Sequence, residues 1–321
     1  MNVPGPNSAA TEALVTVSIL NYQRPEVLAR VLESVVRQDY PDLQVVVVDN
    51  GSPEGAMSQS SRRFPQVEFI ELGENMGTAA RNHGLRAARG RIVVTLDNDV
   101  YFDHPLAIQE IVRAFERHPR AGCVVFRIYH PGSGELHWRD WWHSRQWQAS
   151  EHEEFETHFI SEGAAAFRRE VFDAIEAYWA PFFITHEGLD LSLRLLNAGW
   201  EIWYVPSVKV WHIYSAEARQ GGRSFYFNTR NLLPVVYRNF PWAHGLAYLL
   251  PRLAALGLYS LKAGFFSRFV RGLLDGLKLI GSASGTRRPL HRRTLRKLRA
   301  LKKPQANLLA RFRRHWHEVE F

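Results

Sequence analysis

The 321-residue sequence has a single cysteine, Cys123, which excludes an intramolecular disulfide and a cysteine-based metal cluster. The residue stands in an apolar run, 123–126, so we expect its thiol to be packed in the core of a protein from a reducing compartment. Residues 1–12 lack the basic, apolar and small-residue order of a secretory signal and are typical of a loose tail. These features predict a cytoplasmic protein.

Long apolar runs are absent as well. Between residues 242 and 280 the apolar stretches are interrupted by Pro251 and by basic residues such as Arg252 and Arg271. No stretch reaches the roughly 20 apolar residues that a membrane-spanning helix needs. We therefore expect that this segment does not cross a bilayer.

Acidic residues are scarce near the end of the chain. Residues 241–321 contain 17 lysines and arginines against 3 acidic residues, a net charge of +14, whereas residues 1–240 carry −6. Residues 287–314 contain 12 lysines and arginines and no acid, with leucine and phenylalanine interleaved, which favours helices lying on the anionic inner face of the cell membrane. Nucleic-acid binding and a merely solvated tail are the competing interpretations.

These changes in composition divide the sequence into three parts. We predict a flexible N-terminal tail at 1–12, one α/β domain at 13–240, and a basic amphipathic helical segment at 241–321. The length is sufficient for one large α/β core with an appendage.

An α/β pattern opens the ordered part of the chain. Residues 14–20 and 43–48 are apolar runs of strand length, and Pro25 between them begins a segment with apolar residues at helical spacing. The pattern predicts a parallel βαβ unit, whose ligand site lies at the carboxyl ends of its strands. Asn21 and Asp49 directly follow the two strands and are therefore candidates for ligand binding.

A glycine-containing junction follows a third predicted strand at 67–71. Gly77 and Arg81 lie at the start of a predicted helix that runs to residue 89 and ends at Gly90. A glycine allows close backbone approach to a ligand, and a helix start beside an arginine favours an anion. An ordinary strand-to-helix junction is an equally good interpretation of these residues.

A β-branched run at 91–97 ends in two carboxylates, Asp97 and Asp99, on either side of Asn98. Because ionised carboxylates are costly to bury unpaired, this pattern indicates a cation, a set of hydrogen-bond donors, or open solvent. A solvated turn is the simplest interpretation of such a motif in isolation.

The second half of the domain is less regular. Residues 130–159 are rich in tryptophan and histidine, which suits either a wall over a sugar ring or a loop anchored by its aromatic side chains. Residues 161–168 are typical of a small-residue turn that leads into a helix. A later helix carries Glu187 and Asp190 in its first turn, and two strands at 201–205 and 208–211 end at His212.

Six motifs in this order resemble those of family 2 glycosyltransferases of the GT-A fold, most closely the rhamnosyltransferase-like bacterial branch. They cover about residues 14–240. The motifs are Ser18-Ile-Leu-Asn21-Tyr22, Val48-Asp49-Asn50-Gly51-Ser52, Asn75-Met-Gly77-Thr-Ala-Ala-Arg81-Asn82, Asp97-Asn98-Asp99, His186-Glu187-Gly188-Leu-Asp190-Leu-Ser-Leu-Arg194 and Val210-Trp211-His212.

The resemblance implies an α/β, Rossmann-like, mostly parallel sheet flanked by helices, with the basic segment as an amphipathic helical appendage. It implies inverting transfer of a sugar, rhamnose or another hexose, from a nucleoside diphosphate to a glycan or lipid-linked glycan in cell-surface polysaccharide synthesis. Asp99 and His212 would hold a divalent cation, Mn or Mg. The implied donor-binding residues are Asn21, Asp49, Gly77, Arg81 and Asp97.

Two of these residues have more specific implied roles. Asp97 would contact the ribose or the sugar, and Asp49 would pair with the nucleobase. Because a carboxylate can accept the N3 hydrogen of uracil or thymine, UDP or dTDP donors are expected.

One departure from the family concerns the general base. The family's second acid before the helix is replaced by Gly188, so the position expected to take the acceptor's proton has no side chain. Either Glu187 or Asp190 takes over this role, or the chain is a nucleotide-sugar-binding relative that lacks turnover. Glu187 is the better candidate because it is adjacent to the vacant position, whereas Asp190 can cap the helix or pair with Arg194.

Overall fold

A single mixed sheet forms the centre of the protein, whose computed structural model describes residues 13–131, 141–213 and 222–302. Within these ranges the strand order is β3-β2-β1-β4-β8-β6-β9-β5, with β7 paired to β9. The strands are β1 (Val15–Asn21), β2 (Leu43–Asp49), β3 (Glu68–Glu71), β4 (Ile92–Asp97), β5 (Val100–Phe102), β6 (Ala121–Tyr129), β7 (Phe155–Thr157), β8 (Ala164–Arg168) and β9 (Glu201–His212).

Helices cover the sheet and extend beyond it at the C-terminal side. They are α1 (Pro25–Val36), α2 (Ser58–Arg63), α3 (Arg81–Ala87), α4 (Ala107–Arg117), α5 (Trp147–Ser150), α6 (Val171–Ala174), α7 (Glu187–Asn197), α8 (Arg223–Asn239), α9 (Trp242–Lys262), α10 (Phe266–Ser282) and α11 (Arg292–Leu301). In the described ranges, no helix is both long enough and apolar enough to span a bilayer.

The first half of the sheet is parallel, as the sequence predicts. Strands β1, β2 and β4 are almost fully buried runs of valine, isoleucine and leucine, because helices lie on both of their faces. The register pairs Asn21 with Asp49 and Leu20 with Asp97. The polar residues that end these strands therefore arrive at the same edge of the sheet.

The second half of the sheet is mixed, because β8 runs antiparallel between β4 and β6. The prediction that residues 161–168 form a turn into a helix is wrong, since Ala164–Arg168 is this central strand. Alanine favours helices by local propensity, but hydrogen bonds to strands on both sides override that preference here. Four of the eight strand pairings are antiparallel, so the sheet is mostly parallel only in its first half.

Two smaller predictions also differ from the structure. The two strands predicted at 201–205 and 208–211 form one strand, β9, whose register against β6 shifts between Val205 and Lys209 and so accommodates Pro206 as an irregularity. Helix α3 ends at Ala87, before the predicted cap at Gly90. A Cβ on Gly90 would lie 2.6 Å from the backbone nitrogen of Thr16, so this glycine permits close packing against β1.

The C-terminal helices pack on the α/β layer. Helix α8 lies between α7 and α10, and Leu290 and Leu298 belong to the same buried cluster as Leu191 and Leu195 of α7. The predicted boundary at residue 240 coincides with the turn between α8 and α9. Residues after this turn nevertheless pack into the hydrophobic core of the α/β domain that precedes it.

Candidate active site at the carboxyl ends of the strands

Asn21 ties together the ends of three strands. Its side-chain nitrogen donates to Oδ1 of Asp49 at 2.6 Å, and its oxygen accepts a hydrogen bond from Nδ2 of Asn98 at 2.8 Å. All three side chains are buried. A buried amide whose hydrogen bonds are satisfied in this way fixes the positions of its neighbours, so Asn21 orders the edge of the sheet.

Asp49 is 2% exposed and uses most of its hydrogen-bonding capacity inside the protein. Besides the bond from Asn21, it accepts one from the backbone nitrogen of Ser52 at 2.9 Å and one from the Ser52 hydroxyl at 2.6 Å. These bonds fix the turn that follows β2. One carboxylate oxygen retains a lone pair for a donor N–H group from a ligand.

Gly77 is required by the packing of two loops. Its φ is +62°, a conformation that glycine adopts without strain, and a Cβ there would lie 2.6 Å from the carbonyl carbon of Phe183. The next residue, Thr78, donates its backbone N–H to the Phe183 carbonyl oxygen at 2.7 Å. Gly77 therefore fastens the segment before α3 to the segment before α7.

The side chain of Arg81 extends from the start of α3 to the end of β4. Its buried guanidinium donates to the carbonyl oxygen of Leu96 at 3.3 Å and pairs with the carboxylate of Asp97. Burial lowers the pKa of Arg81, but the charge of Asp97 and other neighbours outweighs this effect and the net shift is upward. Asp97 keeps 41% of its side-chain surface exposed, so it can still contact a ligand.

Asp99 and His212 meet across the pairing of β5 with β9. Oδ1 of Asp99 lies 3.5 Å from Nε2 of His212, and Arg24 donates to Oδ2 of Asp99 at 3.0 Å. Burial, reinforced by the nearby charge of Asp97, raises the pKa of Asp99. In the described part of the chain, no cluster of three or more His, Cys, Asp or Glu residues could hold a metal. Asp99 and His212 are an oxygen and a nitrogen donor of the kind that Mn and Mg sites use, and a bound divalent ion would need its other ligands from substrate or water.

Backbone strain is concentrated in two loops beside this site. Among described residues other than glycine, positive φ values occur at Gln23 and Arg24, and at Phe183, Thr185 and His186. Such conformations persist only when the surrounding structure holds them, and they are frequent at functional sites. Here the side-chain nitrogen of Asn231 donates to the carbonyl oxygens of residues 182, 184 and 185, which holds the loop that leads to Glu187.

Glu187 is the first residue of α7 and is 9% exposed. Burial raises the pKa of Glu187 to about 7. The charge of Arg81 lowers this pKa, and the charge of Asp97 raises it. Its Oε2 atom is buried and has no hydrogen-bond partner among the described residues. A carboxyl group with a pKa near neutrality suits general-base chemistry.

Asp190 has the opposite environment. It is 1% exposed and accepts hydrogen bonds from Arg194 at 2.8 Å, Arg238 at 3.1 Å and Asn239 at 2.6 Å. Although burial acts to raise its pKa, the two arginines and Asn239 hold the pKa below its usual value. A carboxylate with this many hydrogen bonds is a poor proton acceptor. The geometry of Asp190 therefore supports the structural role, in which it pairs with Arg194.

Glu162 is a residue of this site that its local sequence does not reveal. It precedes β8, and its carboxylate lies against Gly188 and within electrostatic range of Glu187, Arg81 and Asp97. The only local signal was an acid in a small-residue segment. That signal does not indicate which distant glycine the carboxylate covers.

The aromatic segment lies partly outside the described residues, which omit 132–140 and therefore His137 and Trp138. Trp141, His143 and Phe155 pack with Tyr204, in agreement with an anchored loop. A surface groove of about 440 Å³ lies between Arg127 and Lys209. None of the residues that line this groove belongs to the cluster of Asn21, Asp49, Asp97 and Asp99 at the strand ends. The groove is therefore separate from the candidate active site, which we place at that cluster.

The chain is similar to known proteins in both sequence and fold. The model of the family "Glycosyl transferase family 2" matches residues 16–176. The N-acetylglucosaminyl-diphospho-decaprenol L-rhamnosyltransferase of Mycobacterium tuberculosis is 26% identical over 236 residues, which are 63% of this chain and 76% of the relative.

Two solved structures have a similar fold, which is GT-A-like as expected. The S. aureus protein TarS in complex with UDP-GlcNAc has a TM-score of 0.61 at 14% identity, over 90% of each chain. The mannosyltransferase PcManGT of Pyrobaculum calidifontis, in complex with GDP-Man and Mn²⁺, has a TM-score of 0.56 at 19% identity, over 96% of this chain and 88% of the other. At these identities the likeness concerns the fold alone.

Proposed function

The chain belongs to glycosyltransferase family 2, and from this premise we propose that it transfers a hexose from a nucleoside-diphosphate donor to a glycan or lipid-linked glycan with inversion of configuration. The observation that carries the proposal is the meeting of Asp99 and His212, 3.5 Å apart, beside Asp97 and Arg81. The relative from M. tuberculosis is named for transfer of L-rhamnose to a lipid diphosphate sugar. Rhamnose and a lipid-linked acceptor in polysaccharide synthesis are therefore the first substrates to test.

Each site residue has a definite task in this proposal. Asp99 and His212 would hold Mn or Mg, and that ion would stabilise the charge that develops on the departing diphosphate. Asp97 accepts a hydrogen bond from a donor hydroxyl through its exposed side, while Arg81 fixes its orientation from below. Asn21 holds Asp49 and Asn98 in place, so the donor meets a preorganised edge.

Asp49 provides the test of donor identity. Because its remaining lone pair can accept the N3 hydrogen of uracil or thymine, UDP and dTDP are expected to raise the melting temperature, in the presence of Mn, more than GDP and CDP do. In Asp49→Asn the preference should disappear, because the amide is approximately isosteric but also presents a donor. A thermal-shift panel of the four diphosphates with MnCl₂ measures both effects.

The control for this panel is Ser52→Ala, which loses the hydroxyl that donates to Asp49 and leaves the carboxylate in place. It should retain the preference for UDP and dTDP. Equal stabilisation of the unmodified protein by all four diphosphates would contradict the role of Asp49. Failure of every nucleotide sugar to bind or turn over would contradict the proposed function as a whole.

The C-terminal helices support a second part of the proposal, which is peripheral binding to an anionic membrane surface. Exposed apolar residues recur at intervals of three, four and eight on α9 and α10, as on one face of a helix. They are Trp242, Leu246, Leu250, Leu258 and Leu261 on α9, and Phe266, Val270, Leu274 and Leu277 on α10. These stripes belong to the part of the chain that carries +14, and a lipid-linked acceptor would be present at the same surface.

Exposed leucines give the sharpest test of this membrane surface. In the double variant Leu250→Ser, Leu274→Ser, the affinity for phosphatidylcholine–phosphatidylglycerol vesicles should fall roughly tenfold or more, since each leucine loses its apolar insertion. Added salt should weaken the binding of the unmodified protein without abolishing it. Vesicle co-sedimentation measures both changes.

The matched control is Leu106→Ser, which removes an equally apolar exposed side chain outside the C-terminal helices. Its vesicle binding should be unchanged. Truncation at residue 241 would be a poor test, because it would remove Leu290 and Leu298 from the core. Equal binding of all three proteins, or binding to DNA but not to vesicles, would contradict the membrane proposal.

A further inference from the structure

The space beside Gly188 is filled by the carboxylate of Glu162. A Cβ on Gly188 would overlap Oε1 of Glu162, and it would lie 2.5 Å from Cδ of the same residue and 2.6 Å from the carbonyl oxygen of Ile160. These contacts leave no room for a side chain at residue 188. The position that has no acid in the sequence is therefore occupied by an acid from another segment.

The backbone of the segment 160–163 is fixed between β4 and α7. The hydroxyl of Thr95 donates to the carbonyl oxygen of Glu162 at 2.6 Å. The backbone N–H of Asp97 donates to the carbonyl oxygen of Gly163 at 3.2 Å. A Cβ on Gly163 would lie 2.7 Å from Cγ of Asp97. Both Gly163 and Gly188 thus lie against a carboxylate, and Glu162 is fixed between Asp97 and the start of α7.

One oxygen of the Glu162 carboxylate lacks a hydrogen-bond partner in the part of the chain that the structure describes. Oε1 of Glu162 and Oε2 of Glu187 are both buried and lack a hydrogen-bond partner within the described ranges. A buried carboxyl oxygen without a partner lowers stability, and such groups are concentrated at functional sites. Glu162 as a whole residue retains partial exposure, although Oε1 itself is buried.

The charges around Glu162 favour proton uptake. Burial, followed by the charge of Glu187, raises the pKa of Glu162 well above its usual value, while a backbone hydrogen bond and the charge of Arg81 act in the opposite direction. The titratable groups that act on it or on its neighbours are Arg81, Asp97, Cys123, Tyr178 and Glu187. Two neighbouring buried carboxyl groups cannot both ionise freely, so the negative charge of one favours proton uptake by the other.

We propose that Glu162 is the catalytic base of this chain, supplying from the β8 side the carboxylate that residue 188 lacks. This inference rests on the proposed function and deepens it. As the acceptor oxygen bonds to the anomeric carbon of the donor, its proton passes to Glu162. The bond between that carbon and the diphosphate oxygen breaks, and its electron pair leaves with the nucleoside diphosphate. The nearby charge of Glu187 raises the affinity of Glu162 for the proton.

The decisive variant is Glu162→Gln, which keeps the shape of the side chain and removes its basicity. Turnover should fall by about 10² to 10⁴, the usual contribution of a positioned base, while the affinity for UDP or dTDP with MnCl₂ stays within about threefold. The measurement is release of nucleoside diphosphate from the nucleotide sugar that the unmodified protein accepts. Glu170→Gln, an exposed acid just after β8, is the matched control and should be fully active.

Two further variants separate catalysis from structure. In Glu187→Gln, the rise of turnover with pH should move to lower pH, because Glu162 loses the neighbouring carboxylate that raises its pKa. Glu162→Gln should melt no lower than the unmodified protein at alkaline pH, because it removes a buried charge, whereas a structural role would lower the melting temperature. Gly188→Asp should disturb the fold rather than restore a base, since its Cβ meets the Ile160 carbonyl.

The possible failures are distinguishable. If the unmodified protein binds no diphosphate with MnCl₂ and turns over no donor, the proposed function fails. If it turns over a donor and Glu162→Gln retains turnover within about threefold while Glu187→Gln loses it, the base is Glu187 and the inference is overturned. If Glu162→Gln loses donor binding together with turnover, Glu162 is a binding residue and the inference is likewise overturned.

Discussion

Replacing Asp190 with alanine is expected to lower the free energy of unfolding by about 3 to 5 kcal/mol, the usual effect of breaking a buried ion pair from one side. Asp190 is 1% exposed and Arg238 is 1% exposed. The variant leaves Arg194 and Arg238 without this counter-ion between α7 and α8. Urea unfolding monitored by circular dichroism measures the change.

The pH dependence of this effect follows from the lowered pKa of Asp190. A carboxyl group whose pKa is lower in the folded than in the unfolded chain contributes its full stability above the ordinary range for aspartate, and loses it as the pH falls through the lowered value. The difference in the free energy of unfolding between the unmodified protein and Asp190→Ala should therefore become smaller at acidic pH. Asp173→Ala, which removes an exposed acid on α6, should change stability by less than about 0.5 kcal/mol. A similarly small change in Asp190→Ala would show that the network is not stabilising.

Replacing Asp99 with alanine is expected to reduce metal-dependent turnover by about a thousandfold, because a bound cation supplies several kcal/mol of charge stabilisation in the transition state. In the proposed cation site, Asp99 would supply an oxygen ligand and His212 a nitrogen ligand, and the two side chains lie 3.5 Å apart. His212→Ala should act in the same direction, and in both variants the concentration of MnCl₂ at half-maximal rate should rise. Initial rates across a MnCl₂ titration, with UDP binding followed by calorimetry, provide the readout.

The control is Glu116→Ala, an exposed acid on α4 away from the strand ends, which should respond to MnCl₂ as the unmodified protein does. Unchanged metal dependence in both Asp99→Ala and His212→Ala would mean that the cation site lies elsewhere. Loss of UDP binding with and without MnCl₂ would instead indicate that the variants disturb the fold. A melting curve for each variant separates this case from loss of the metal.

Several features of the site follow from local sequence alone. Apolar runs ending in polar residues predicted β1, β2 and β4, and parallel neighbours necessarily end at one edge of a sheet. The positions of Asn21, Asp49 and Asp97 along the chain are therefore sufficient to predict that they lie at the same edge. The six motifs in order likewise predicted the family, which the match over residues 16–176 confirms.

Other features depend on contacts between residues that are distant in the sequence. The alanines of β8 become a strand only because β4 and β6 offer hydrogen bonds on both sides. Asp190 could be a base or a structural anion until the fold brought Arg238 to it. A pattern of residues along one segment carries no information about which remote side chain will face it.

The pair of Glu162 and Gly188 is the clearest case of this division. The sequence by itself determined that residue 188 has no side chain, and this predicted a protein with a displaced or missing base. The tertiary structure decided what fills the space beside Gly188, because it packs the carboxylate of Glu162 there. The physical reason is that a site is defined by the atoms that share a volume, and close packing lets one segment fill the space that another leaves open.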